Sequence, residues 1–248
     1  MSMKTLLWLV LTAELIFSLQ VEANEKIVIH TNSYEPYYGE KMADFGPLLK
    51  ITRLAFKESG YDTEIRFRPW ARVIQEGEAG DCDVLAGMWF DTGRKEWAAL
   101  TDAILENEVG FYKKKGDDLT FKDYEDLKAK KVVIGTVRSY LSPKGFDQAG
   151  LMTEEVTEDL LNMRKLVNNR IRLALVDRRL GSYLLKQEGR ENEIEWLATL
   201  QRVPLRNGIM KRARGDWKKK LADFNRGLAK VKKQGVIRQV MKEYRLRP

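Results

Sequence analysis

The strongest constraint on this chain is the way its strands and helices alternate. Lys26–Thr31 (KIVIHT) alternates and is β-rich. A helical spacing follows at Leu48, Ile51, Ala55 and Phe56, stopped by Gly60. Thr63–Phe67 (TEIRF) predicts a second strand, Trp70–Glu78 a short helix, and Asp83–Met88 (DVLAGM) a buried strand. Such a β-α-β-α-β series predicts parallel strands with helical crossovers.

A further strand is expected at Glu108–Lys113, and a second series begins after it. It comprises a helix at Asp123–Lys130, a strand at Val132–Gly135, a loop at Arg138–Gly145 and a helix at about Glu158–Asn168. A strand at Leu173–Val176, a helix at Arg178–Lys186 and an extended Glu195–Leu200 complete it. Pro204–Met210 leads into another strand, and Trp217–Tyr244 is helical with a break at Gly235. This last segment has no partner in the second series, so the chain is expected to cross to a second lobe and return. The crossings are placed near Phe111–Lys114 and Val203–Asn207. The expected division is residues 1–23 as an export signal, 24–112 as the first part of lobe 1, 113–203 as lobe 2, and 204–248 as the return to lobe 1. Ligands of open α/β sheets sit beyond the carboxyl ends of the strands, and two facing lobes make a cleft there.

Composition removes several classes of function. One cysteine, Cys82, excludes an internal disulfide, a paired-cysteine redox motif and a cysteine-rich zinc site. One histidine, His30, leaves little room for a His-dependent nucleophile system. Neither a cofactor nor a metal is expected. Lys4 followed by a mostly apolar Leu6–Leu19 and Val21-Glu22-Ala23 reads as a secretory signal cut near Ala23. Its apolar run is shorter than the ~20 residues a membrane span needs. The remaining 225 residues carry 43 Lys and Arg against 34 Asp and Glu. The basic excess lies at the end: 15 Lys and Arg against 3 Asp and Glu from Leu205 to Pro248. Such a tail suits a solvated helical face or an anionic surface, and export argues against nucleic acid.

Four segments in order carry a resemblance: IVIHTNSYEPYY, PWARVIQEGEAGDCDVLAGMWFDTGRKEWA, DLKAKKVVIGTVRSY and NGIMKRARGDWKKKLADFNRGLAKVKKQGVIRQVMKEY. Together they resemble the extracellular solute-binding proteins of family 3, the amino-acid-binding branch of the periplasmic binding proteins. The resemblance implies a type II fold of two α/β lobes joined by two hinge crossings and closing on a ligand between them. It implies Arg94 for a ligand carboxylate, Asp177 for an ammonium, and Tyr34 and Trp70 as aromatic walls. A planar guanidinium fork matches a carboxylate, and Asp is an acceptor-only anion. Each residue also has a plainer reading: Arg94 as a surface charge, Asp177 as a helix N-cap, Tyr34 and Trp70 as core.

The sequence departs from the family pattern at Trp89, where a small hydroxyl residue is usual, and at Arg138, Ser139 and Tyr140 in the second-lobe loop. With Arg72, these residues complete the expected cleft lining and leave open a different anion or an aromatic acid. The implied partners are a small-molecule ligand and a membrane permease of the ABC type or a sensor, with the protein itself monomeric. An enzyme on the same fold, acting like a dehydratase of cyclic acids with Glu35 or Asp177 as acid or base, is one alternative. A module that binds a membrane or wall surface through the basic tail is the other.

Overall fold

In the computed structural model, residues 24–89 and 91–246 are described; the expected signal segment lies outside them. The first series runs β1 (Lys26–Thr31), α1 (Pro47–Lys57), β2 (Asp62–Phe67), α2 (Trp70–Ala79) and β3 (Val84–Met88). β4 (Ala98–Leu100) and β5 (Leu105–Lys114) follow. The second series is α3 (Tyr124–Ala129), β6 (Val133–Val137), β7 (Met152–Val156), α4 (Asp159–Val167), β8 (Leu173–Asp177) and α5 (Arg178–Gln187). β9 (Ile194–Met210), α6 (Trp217–Lys233) and α7 (Val236–Glu243) close the chain.

The strands order as β2-β1-β3-β9-β5-β8-β6-β7, with β4 also on β9. β1 runs parallel to β2 and β3, and β6 runs parallel to β7 and β8, as the two β-α-β series require. The long strand β9 joins the halves. Ile194–Leu205 pairs antiparallel with β5, while the stretch from Arg206 to Met210 pairs with β3 and β4.

The first crossing differs from its expected place. Phe111–Lys113 lies inside β5, paired with Leu173–Leu175 of β8, so it belongs wholly to the second half of the sheet. The chain passes between halves at residues 101–104, where Thr101 N–H donates to Asn207 O and Ile104 N–H to Leu205 O. The start of β5, Leu-Glu-Asn-Glu, is too polar to read as strand, which displaced the expected crossing toward the apolar residues after it. β7 also escaped the sequence pattern. Four of its five residues are exposed, as befits a polar edge strand.

The C-terminal helices pack on the first half. Phe56 of α1 and Phe224 of α6 lie 4.9 Å apart, and Gly227 lets α6 approach until a Cβ there would strike the Ala55 carbonyl. Lys220, 4% exposed, reaches Asp83 at 2.7 Å, and the other Asp83 oxygen accepts from Val28 N–H. This buried pair ties the tail to the amino end of β3, the strand whose carboxyl end borders the cleft. Among the described residues, no helix is long and apolar enough to cross a membrane and no cluster of three or more His, Cys, Asp or Glu could hold a metal.

Candidate functional site: an aromatic cleft with one half-buried arginine

The carboxyl ends of β1 and β3 build one wall. After β1 the chain turns on itself: Tyr34 N–H donates to Tyr38 O at 2.8 Å, and Tyr37 and Tyr38 N–H both return to Tyr34 O. That turn stacks the Tyr34 ring between Tyr37 at 5.9 Å and Tyr38 at 5.7 Å. The Tyr38 hydroxyl sits against Gly87, whose φ of 77° is in the left-handed region and whose missing side chain leaves the space it fills. Gly87→Ala should therefore unseat Tyr38 and lower stability by about 2 kcal/mol or more, measured by denaturant melting. Unchanged stability would show that Tyr38 has no fixed seat.

Trp70 opens α2, and the Arg94 guanidinium lies 5.9 Å from the centre of its ring. A short 3₁₀ turn, Gly93–Glu96, carries Arg94. Asp91 holds that turn by accepting from the backbone N–H groups of Gly93 and Arg94 at 2.8 and 3.3 Å. Burial pulls the Arg94 guanidinium below its usual range, with the Asp91 charge opposing. Among the described residues, no carboxylate lies within 4.0 Å of that guanidinium. Arg94 faces a cavity of about 30 Å³ lined by Asn32, Tyr34, Tyr38, Trp70, Gly87, Trp89, Tyr140 and Leu141, none of them acidic.

The opposite wall comes from the second half of the sheet. Tyr140 follows β6, Asp159 begins α4, and Asp177 ends β8. They border a second cavity, also about 30 Å³, which shares Tyr34, Trp89, Tyr140 and Leu141 with the first. Tyr140 packs edge-on to Tyr34 at 6.2 Å, accepts from Asn32 Nδ2 at 3.2 Å and donates to Asp159 Oδ2 at 3.0 Å. Asp177 caps α5, its Oδ1 accepting from Arg179 and Leu180 N–H. Its Oδ2 accepts from Glu108 N–H at 3.1 Å and from the Tyr37 hydroxyl at 3.2 Å. Burial raises Asp177 to about 6 and Asp159 to about 7. The two walls are closed on each other: Asn32 and Tyr37 of the first half hydrogen-bond to Tyr140 and Asp177 of the second, and each cavity has room for no more than a few waters.

Six of the nine residues expected to line the cleft come together here: Tyr34, Trp70, Trp89, Arg94, Tyr140 and Asp177. Three do not. Arg72 is exposed and pairs with Glu76 at 2.7 Å, because two residues beyond Trp70 a helix presents its other side. Arg138 is exposed and lies 3.7 Å from Glu155. Ser139 is exposed and takes a left-handed φ of 64°. Asn32, Tyr38 and Asp159 line the cleft without having been picked out from the sequence. Glu35 lies against Gly39, outside both cavity linings, and His30 is buried 2.8 Å from Glu76 within the first half.

The family profile of the bacterial extracellular solute-binding proteins, family 3, matches residues 27–247. The chain belongs to that family, and it has the type II periplasmic binding protein fold. Among solved structures it is similar to an ancestral arginine-binding protein bound to arginine. The TM-score is 0.76 at 20% identity, covering 90% of this chain and 99% of that one. It is equally similar to a histidine kinase sensor domain with similarity to periplasmic binding proteins (TM-score 0.76, 20% identity, 91% and 99% coverage). It also resembles an ancestral amino-acid-binding protein, a precursor of cyclohexadienyl dehydratase. There the TM-score is 0.71 at 18% identity, with 88% and 94% coverage. No curated protein matches the sequence.

Proposed function

We propose that this chain is a periplasmic receptor for a small carboxylate-bearing solute, an amino acid or a close relative, serving ABC-type uptake or sensing. One observation carries the reading. Among the described residues Arg94 is a half-buried guanidinium without a carboxylate partner, set on an indole face beside a cavity with no acidic lining. A guanidinium in that setting pairs with an anion supplied from outside, and the aromatic walls that exclude water strengthen the contact. Family membership and the fold support solute binding. The neighbours' amino-acid ligands support the solute class.

A cavity of about 30 Å³ admits no amino acid while closed, so binding begins with the walls apart. The thin places are the crossing at residues 101–104 and the adjacent turnover of β9 partners at Leu205–Arg206. The test is a thermal-shift screen of amino acids, their deaminated analogues and simple carboxylates, with hits measured by calorimetry. A saturable ligand that raises the melting temperature without being consumed is the expected result. Turnover of a hit, or the absence of any carboxylate among the hits, would overturn the reading.

A further inference from the structure

We propose that the outer face of α6 is a docking surface for an anionic phospholipid membrane. The proposal goes beyond the solute-receptor reading, because no residue of this face borders either cavity of the cleft. The buried side of α6 runs through Phe224, Leu228 and Val231. The helical repeat turns Lys218, Lys219, Arg226, Lys230, Lys232 and Lys233 away from it, and all six are exposed. The other exposed residues of the helix are Ala222 and Ala229, so the face holds no acid. Its 17 residues make it about 25 Å long. Lys220, pinned to Asp83 at 2.7 Å, and Asp223, accepting from the Tyr61 hydroxyl at 2.7 Å, fix the helix to the first half of the sheet.

A helix face that meets only water commonly alternates its charges. This one sets like charges side by side. Arg226 and Lys230 are four residues apart and Lys230 and Lys233 three, spacings at which repulsion weakens a helix. Lys218 and Lys219 stand in the first turn, where the helix dipole disfavours cations. The protein answers only at the margins. The Asp223 carboxylate faces Lys219 and Arg226, and Glu58 lies 3.1 Å from Lys230. Among the described residues, no carboxylate lies within 4.0 Å of Lys218 or Lys233. An anionic surface laid on the face would relieve this crowding. The kind of surface follows from what the face lacks. A protein partner is held by apolar or aromatic anchors near the centre of its footprint. Among the described residues, the large apolar side chain left exposed is Met152, on β7 at the edge of the second half. Cations spread along a helix without an anchor suit a broad array of anions instead, and the headgroups of an anionic bilayer form such an array.

Co-sedimentation of the exported protein with vesicles tests the assignment. One set is pure phosphatidylcholine and the other carries about a quarter phosphatidylglycerol, both at ~0.1 M salt. Binding is expected to the anionic vesicles alone and should fall away as salt rises to ~0.5 M. A variant combining Lys218→Gln, Lys230→Gln and Lys233→Gln keeps good helix formers at all three positions. Each cation at a bilayer surface contributes roughly fivefold, so this variant should partition at least ~10-fold more weakly. A control combining Lys128→Gln, Lys144→Gln and Lys186→Gln removes the same charge from exposed positions of the second half. It should bind within about twofold of the unaltered protein, since only cations near the bilayer contribute. Circular dichroism and melting confirm that both variants fold. Equal losses in the two variants would assign the attraction to net charge and overturn the proposal. Binding to neutral vesicles as strong as to anionic ones would overturn it as well. So would failure to bind anionic vesicles, including the case in which heparin, a soluble polyanion, binds in their place.

Discussion

Arg94→Ala is expected to remove solute binding, by ~10³-fold or more, while leaving the fold almost unchanged. The Arg94 guanidinium lies over the Trp70 ring, and among the described residues no carboxylate is paired with it. Removing it therefore strands nothing inside the protein. The Gly93–Glu96 turn keeps its shape, because Asp91 holds it through backbone N–H groups that alanine retains. A carboxylate bound in the cleft, however, would lose its counter-charge in a site walled by Tyr34, Tyr38, Trp70 and Trp89, where little water can replace it. Arg94→Lys should recover only part of the loss, since an ammonium offers one point of charge where the fork offers two parallel donors. Calorimetry on a hit from the solute screen, paired with melting curves of each variant, measures both halves. Full affinity in Arg94→Ala would show that the anion is held elsewhere.

The sequence made some of this arrangement visible and hid the rest for identifiable reasons. The two β-α-β series were legible because buried parallel strands such as Val84–Met88 are continuously apolar and their helices carry clear 3.6-residue spacing. The family resemblance, laid on that frame, points to Tyr34, Arg94 and Asp177, and the chain's departure from the family pattern points to Tyr140; the structure brings all four to the ends of the strands around one cleft. What failed was direction. Arg72 and Ser139 sit beside Trp70 and Tyr140 in the chain, but helix phase in one case and a left-handed turn in the other aim them outward. Asp159 was hidden for a different reason. An acid in the first turn of a helix is favoured by the helix dipole, so nothing in the sequence separates a solvated Asp there from one sealed between two walls. Tyr38 depends on Gly87, about fifty residues away, and a packing partner at that distance leaves no local pattern.

Closing of the cleft should be coupled to protons, with the closed form favoured at low pH. Asp159 and Asp177 are buried between the walls, and burial lifts them to about 7 and about 6. The charged and titratable groups around them are Glu158 just before α4, Glu108 and Tyr112 on β5, Arg179 on α5, and Tyr34, Tyr37, Tyr38 and Tyr140. Opened and hydrated, both carboxyls would return toward ordinary values near 4. Between pH 4 and 7 the closed form therefore binds more protons than the open one. Stability of closure is greatest at the acid end of that window and is lost as pH rises through about 6 and then about 7. From pH 5 to pH 8 the closed-to-open ratio should fall on the order of 10²-fold, allowing for partial hydration of the closed cleft.

Solution scattering across this range should show the radius of gyration growing with pH. Asp159→Asn should stay more compact at pH 8 and melt at a higher temperature there than the unaltered protein, because only Asp177 is left to become a buried charge. A radius of gyration that is flat from pH 5 to 8, or an Asp159→Asn profile identical to that of the unaltered protein, would sever this link between the buried acids and the motion.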